Sequence, residues 1–411
     1  MSKSSRNFIN KFVFQILVFL LPTQLTYHFW PDWAFVYGIR VDYLAPVVYL
    51  SDLVVLILLI TWLSQIKSIK YRFSLKKSVG ILAFLIFVVL NIYFAQVWQV
   101  ALFKWIKVAE MIFLGIYVRN RWHGLKKIIV TPLALGLTYT CLLAIWQFLI
   151  QSTVGGVFYY LGERSFNPST PGIALANFFR ESVMRPYSVF PHPNVLAGYI
   201  LVSLLLLWPS VKESFLMKTV LALGIVTIVI SFSRIIWLTT VLIILFYCFK
   251  KANLLKKLSF FILISLIFSS LFFAFSGCLT LSCEDLPKTV FERIILDESA
   301  AGIFSQSPII GAGLGNFIIN LRQSFPSIWY LQPVHNIFLL VLAETGLIGI
   351  MMFYYFLFLA FRNLKYHKEI HLLVTIIAIC FLGIGDHYWL TLQQTQLLFA
   401  IVLGASFSKM G

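Results

Sequence analysis

Long apolar segments recur along the whole 411-residue chain, and basic residues collect in alternate gaps between them. An apolar helix needs ~20 residues to cross a hydrocarbon core of ~30 Å, and the sequence supplies such stretches repeatedly. Apolar residues fill 60% of positions and charged residues only 11%, with a mean hydropathy of +0.91. A water-soluble domain needs a mostly polar skin, so lipid must replace water over much of this surface. The sequence therefore predicts an all-α, polytopic transmembrane helical bundle, read as a single integral membrane domain over 1–411.

Spans are expected at about 12–27, 47–64, 79–97, 100–118, 129–150, 193–208, 217–232, 235–249, 258–276, 334–358, 370–385 and 388–407. This gives about twelve spans, with both termini on one side. Lysine and arginine set the orientation. Lys67, Lys70, Arg72, Lys76 and Lys77 share one gap, Arg119, Arg121, Lys126 and Lys127 the next. Lys212 and Lys218, then Lys250, Lys251, Lys256 and Lys257, then Arg362, Lys365 and Lys368 continue the pattern. Basic gaps mark the cytoplasmic side, so both termini are expected there and the loops 28–46, 151–192 and 277–333 outside. The short seventh and eighth spans are the pivot, because a single crossing over 217–249 would invert everything downstream. A formal charge of +17 would suggest nucleic acid in a soluble protein, but here it is explained by the positive-inside pattern, and no nucleic-acid partner is expected. The N-terminal stretch resembles a signal peptide without an A-x-A site and is read as an uncleaved first helix.

Cys141, Cys248 and Cys380 lie inside apolar runs and read as small hydrophobes. Cys278 and Cys283 share a polar outer loop, where a disulfide would be permitted. The outer loops are longer than connection requires, and segments 288–304 and 169–184 are suited to short amphipathic helices on the membrane face.

Few residues in this chain can do chemistry. Arg185 stands in RPYSVFPHPN, a few residues before the sixth span, either as an interfacial snorkelling arginine or as an anion ligand. The prolines around His192 shape that approach, Asn194 is expected to cap the span, and His192 itself reads equally as a structural hydrogen-bonder or a ligand contact. Arg234, in SFSRIIW, either bonds loop carbonyls in a tight hairpin or reaches an anion. Arg293 lies in FERIILDESA, where a helix ion pair with Asp297 competes with phosphate binding through its forked donors. His335, Asn336 and Glu344 fall in VHNIFLLVLAETGLIG. A histidine at the rim of a polar cavity can accept a proton near neutral pH, and an acid inside a span marks a functional or packing-critical position. No P-loop, dinucleotide fingerprint, DxD or His/Cys/Asp run of metal spacing is present, so neither a cofactor nor a metal is expected. Arginines and a histidine on the outer face suit an anionic ligand with a lipid part, a lipid-linked diphosphate above all, although a transporter would use the same residue types.

At this point the chain resembles the O-antigen ligase and polymerase family. The resemblance rests on RPYSVFPHPNVLAGY (185–199), SFSRIIW (231–237), SPIIGAGLGNF (307–317) after Arg293, and VHNIFLLVLAETGLIG (334–349), and covers roughly residues 130–360. It implies transfer of a glycan from an undecaprenyl-diphosphate-linked donor to a glycan acceptor (polymerase) or to lipid A-core (ligase). The reaction would be inverting, metal-independent and located outside the bacterial cytoplasmic (inner) membrane. Arg185, Arg293 and His335 are then the expected catalytic residues, and Arg234, Glu344, Asn336 and His192 the substrate-binding ones. Members glycosylating lipid, glycan or protein share these motifs, and the modest third loop says little about acceptor size. The rival from another class is a lipid-linked glycan flippase or polysaccharide exporter without enzymatic activity.

Overall fold

The structure is a computed structural model, describing residues 3–64, 75–178, 181–211, 214–249, 288–324 and 331–408. The predicted span 258–276, the Cys278–Cys283 pair and the basic residues Lys67–Arg72, Lys212 and Lys250–Lys257 lie outside the described residues.

The fold is mostly helical, as the apolar runs require. In chain order it contains α1 (Lys3–Leu20), β1 (Thr26–His28), β2 (Phe35–Val36), β3 (Ile39–Arg40), β4 (Val47–Tyr49), α2 (Leu50–Leu63), α3 (Leu75–Tyr93), α4 (Trp98–Leu125) and α5 (Val130–Ile150). There follow β5 (Leu175–Phe178), β6 (Glu181–Met184), α6 (Pro193–Leu207), α7 (Phe215–Ile230) and α8 (Arg234–Phe249). The last part has α9 (Lys288–Gln306), α10 (Phe317–Ser324), α11 (Ile337–Tyr366), α12 (Ile370–Gly385), α13 (Tyr388–Thr391) and α14 (Gln393–Ser406). Among the described residues, three helical stretches are long and apolar enough to cross a membrane: Val130–Ile150, Pro193–Ser210 and Ile337–Tyr366. Six shorter apolar helices accompany them, so the predicted number of twelve spans is not established. Residues 217–249 form two helices, separated by a turn in which Phe232 takes a left-handed φ of 52°.

Helix α6 is the axis of the bundle. Its sequence is apolar on every side, and a helix with no polar face is stable only when enclosed. Val195, Leu196, Ala197, Tyr199, Ile200 and Val202 are all buried against α5, α7, α8 and α12. The lipid-facing helices show the opposite pattern: Leu53, Leu56, Ile57 and Ile60 on α2, and Leu82, Leu85, Ile86 and Val89 on α3, are exposed. A second core lies at one end, where Val36, Val41 and Leu44 of the first loop pack with Leu296, Ala300 and Ile303 of α9 and with Phe317, Ile318 and Leu321. This cap gathers segments distant in sequence around the start of α11.

Three local expectations are corrected. Segment 169–184 is not a helix. It contains the antiparallel hairpin β5–β6, with Leu175 opposite Met184 and Phe178 opposite Glu181. Here Gln151 exchanges bonds with Met184 and Arg185 N–H donates to Ala174 O at 3.1 Å, tying the extended backbone down at its base. The last predicted span, 388–407, is interrupted. After Asp386 and His387 comes a single turn (α13), extended Leu392 ends it, and α14 begins only at Gln393. Helix α11 is broken as well. Gly346 has φ 63° and ψ −165°, a conformation open essentially to glycine, and the helix resumes beyond it.

That break is filled by the GAGLG loop. Leu347 N–H donates to Pro308 O at 2.8 Å and Ile348 N–H to Ile309 O at 3.2 Å, while Ala312 and Gly313 N–H donate to Ala343 O and Glu344 O, both at 3.0 Å. The loop thus exchanges backbone bonds with the interrupted helix, so the polar groups freed by the break stay paired in an apolar setting. Asn91 of α3 completes the joint by donating to Ile310 O and Glu344 O, each at 2.9 Å.

Candidate functional site

The cavity that opens between the cap and the bundle has a volume of about 2970 Å³. Its walls include Arg185, His192, Asn194, Arg234, Arg293, His335, Glu344, Asp386 and His387. Residues from five separate parts of the chain therefore meet at one opening.

The 185–194 segment is positioned by a buried amide. Gln147 of α5 accepts from Tyr187 N–H at 3.1 Å and Ser188 N–H at 2.6 Å, and donates to Ser188 O at 3.1 Å. With its backbone thus pinned, Arg185 projects its guanidinium between two acceptors: Nε donates to Ser231 O at 2.6 Å and Nη2 to Asn194 Oδ1 at 2.7 Å. Burial pulls its pKa down to about 10, which leaves it charged at neutral pH. The expected cap is reassigned. His192, not Asn194, caps α6, its Nδ1 accepting Asn194 N–H at 3.2 Å, while the Asn194 side chain is committed to Arg185.

Arg293 is carried by α9 and donates from Nη1 to Gly385 O at 3.1 Å. The anticipated ion pair with Asp297 does not form among the described residues. Arg234 opens α8, is exposed, and has no hydrogen-bond or ion-pair partner among the described residues. The charges of Arg185, Arg293, His335 and Asp386 all act on the His192 ring, which burial above all, with the two arginines, holds down at about 4. His192 is thus a neutral neighbour of both arginines.

His335 precedes α11, whose N-cap is Asn336: the Asn336 Oδ1 accepts from Phe338 and Leu339 N–H at 2.9 and 3.3 Å. Asn336 therefore orients the helix start, and its side-chain oxygen is committed to that task. His335 Nδ1 lies 3.4 Å from Asp386 Oδ1, and its ring stacks on His387 with centroids 5.2 Å apart. Burial opposes ionisation of Asp386, but the His335 hydrogen bond and the nearby His387 outweigh it and hold the carboxyl below its usual range. The His335 side chain keeps 21% of its surface exposed, against 10% for Asp386, so the histidine is the member of the pair that faces a ligand. His387 is held by Thr391, with Nδ1 2.7 Å from Oγ1, and burial lowers its pKa to about 4. Donor atoms of His335, Asp386 and His387 fall within 4.8 Å of one another, a grouping that the sequence spacing gave no sign of.

Glu344 lines the cavity, yet its carboxylate is turned onto the backbone, accepting Phe317 N–H at 3.3 Å and bonding Gly315 N–H. Deeper in the bundle, Lys107 of α4 pairs with Asp52 of α2 and with Glu110 at 3.4 Å, and Gln393 donates to Asp52. Lys107 thus sits between two carboxylates and is shared by them.

Residues 219–354 fit a family model, and that segment includes Arg234, Arg293, His335, Asn336 and Glu344. The family is O-antigen ligase. Over that segment the match bears out the resemblance to O-antigen ligases read from the sequence, and the apolar helices mark a membrane protein. No curated protein matches the chain. Arg185, His192, Asp386 and His387 lie outside the matched segment and join the O-antigen ligase motifs only through the fold.

Proposed function

We propose that the protein transfers a glycan from an undecaprenyl-diphosphate-linked donor to an acceptor hydroxyl at the outer face of the bacterial cytoplasmic membrane. The observation that carries this reading is the meeting of Arg185, Arg234, Arg293 and the His335–Asp386 pair in one cavity. The O-antigen ligase match over Arg234, Arg293 and His335 supports it.

The donor's diphosphate binds against Arg185 and Arg293, with Arg234 supplying a further charge. Arginine's parallel donors suit phosphate oxygens and stay charged in a membrane-proximal site. The two bonds to Ser231 and Asn194 fix the Arg185 fork before substrate arrives, so little reorganisation is needed as charge develops. The acceptor oxygen attacks the anomeric carbon on the face opposite the diphosphate. The new C–O bond forms as the C1–O bond to phosphate breaks, the electron pair leaves on the diphosphate, and the acceptor proton passes to His335. Asp386 orients the imidazole and balances the positive charge it acquires. The leaving group is already a diphosphate, so the chemistry requires neither nucleotide nor metal. Both termini on the cytoplasmic side, inversion at C1, and a glycan or lipid A-core acceptor belong to the same proposal.

The test is His335→Ala in purified, reconstituted protein supplied with lipid-linked glycan. Transfer should fall by at least about 100-fold, the usual weight of a general base, while melting temperature and binding of undecaprenyl diphosphate stay near wild type. Transfer within a few-fold of wild type would refute the role. Wild-type protein that moves the lipid-linked glycan across vesicles and yields no glycosidic product would favour the flippase instead.

A further inference from the structure

One wall of the cavity takes no part in this mechanism. It is polar and aromatic, and it is built from the first outer loop, with His28, Asp42, Tyr43 and Tyr49, facing the turn at Arg164. Asp42 and Arg164 both line the cavity, both are exposed, and neither has a hydrogen-bond or ion-pair partner among the described residues. Their charges both act on Tyr43 and on His28, so they stand around the same rings without closing into an ion pair.

The surroundings hold this arrangement in place. Glu163, next to Arg164, is buried and accepts from Val154 N–H, Gly155 N–H and Gln147 Nε2, each at 2.7 Å, which fixes the turn presenting the arginine. His28 stacks on Trp30 with centroids 5.4 Å apart and planes 8° from parallel. Tyr43 meets His387 edge-on at 5.5 Å, and His387 in turn stacks on His335. The wall is thus continuous with the proposed base through two ring contacts.

We infer that Asp42, Tyr43 and Arg164 form a subsite for the terminal sugar of the acceptor glycan, holding its hydroxyl beside His335. A free carboxylate accepts from sugar hydroxyls and a free guanidinium donates to them, while aromatic rings cover the apolar faces of a pyranose. A lipid tail would gain nothing from such a lining. The wall also stands on the correct side of the reaction. Tyr43 reaches the proposed base through the His387 ring, whereas Arg185 and Arg293 are bonded to Ser231, Asn194 and Gly385. The nucleophile must approach away from the leaving diphosphate, so the sugar at Tyr43 is the acceptor's and not the donor's. This inference rests on the transfer reading of the site.

The test uses full-length protein in nanodiscs and two probes. One is the oligosaccharide freed by mild acid from undecaprenyl-linked repeats of the cells that make the protein, and the other is undecaprenyl diphosphate. Wild type should bind both. Asp42→Ala and Arg164→Ala should each weaken oligosaccharide binding at least tenfold, leave undecaprenyl diphosphate binding within twofold, and raise the acceptor KM more than they lower kcat. Oligosaccharide binding unchanged in both variants overturns the subsite, as does an equal loss of both probes in variants of wild-type melting temperature. If an alanine variant melts early, Asp42→Asn and Arg164→Gln replace it and are judged by the same two measurements. The two readings fail separately. Wild type that binds the oligosaccharide in an Asp42-dependent way but transfers nothing refutes the transferase alone, and active enzyme with intact binding in both variants refutes the subsite alone.

Discussion

Glu344 is the residue at which a ligand role and a structural role predict different numbers. Its carboxylate accepts the N–H groups of Phe317 and Gly315 beside the broken turn of α11. In Glu344→Ala both donors lose their acceptor in a buried place, at about 1–3 kcal/mol each. The expected loss is therefore about 2–6 kcal/mol. Unfolding entropy near 2.1 cal/mol/K per residue makes 1 kcal/mol worth roughly 1 °C in a chain of this length, so the melting temperature should drop by roughly 2–7 °C. Glu344→Gln keeps an acceptor oxygen and should lose less than about half of that. The assay is a heat series in detergent read by size-exclusion fluorescence, with KM for the lipid-linked donor measured on the same samples below the transition. A structural latch lowers the melting temperature and active fraction while leaving KM alone. A melting temperature within about 1 °C of wild type, with KM raised severalfold, would refute the latch and restore Glu344 as a substrate contact.

Arg185→Lys keeps the charge but cannot bond Ser231 O and Asn194 Oδ1 together, so kcat/KM should fall by about 100-fold, the scale of one preorganised charge-stabilising donor. Near-normal kinetics would show that charge alone suffices. Gly346→Ala would place a Cβ 2.5 Å from the Ile309 carbonyl in a backbone region closed to other residues, and should cost more than about 3 kcal/mol. A melting temperature equal to wild type would contradict the break in α11. Burial holds His192 and His387 neutral, at about 4 each, whereas an unfolded imidazole titrates near about 6.5. Between those values only the unfolded chain takes up the protons. Stability is therefore complete above about pH 6.5 and falls toward pH 4 by about 1.4 kcal/mol per unit for each histidine. Asp386, held below its usual range, adds its own loss only at still lower pH. A melting temperature flat from pH 7 to 4.5, or a slope unchanged in His387→Asn, would count against this.

The bundle was legible because apolar runs of span length leave little freedom: α5, α6 and α12 begin and end within a residue or so of the predicted bounds. The amphipathic helix predicted at 288–304 is α9. Hairpin β5–β6 was misread because its alternation is weak and its order comes from Gln151 and the Ala174–Arg185 backbone bond. In the site, Arg185 and His335 stand out just ahead of apolar runs and Arg293 as a basic residue in an acidic stretch, and the fold brings all three to one cavity. Asp386 and His387 were missed because the last apolar hairpin was read as two plain spans. The signal was present in FLGIGDHYWL, where an acid and a histidine interrupt a run with no loop to account for them. Asp42 carries no signal of a site in the sequence, since its place beside Arg164 in the cavity wall depends on folding of the first loop.

The discontinuity in α11 also bears on how a 30-residue helix anchors the polar pair at its start. A rigid rod of 30 residues would answer a thinner or thicker membrane by tilting as a whole, and its far end would carry His335 away from Asp386. Here the rod is jointed at Gly346. The 308–317 loop bonds both sides of the joint, through Ala343 O and Glu344 O before it and Leu347 and Ile348 N–H after it, while Leu357, Ala360 and Leu364 further on pack in the bundle core. The start of α11, and with it the His335–Asp386 pair, is thereby fixed to the loop and the cap core and not only to the far end of its own helix.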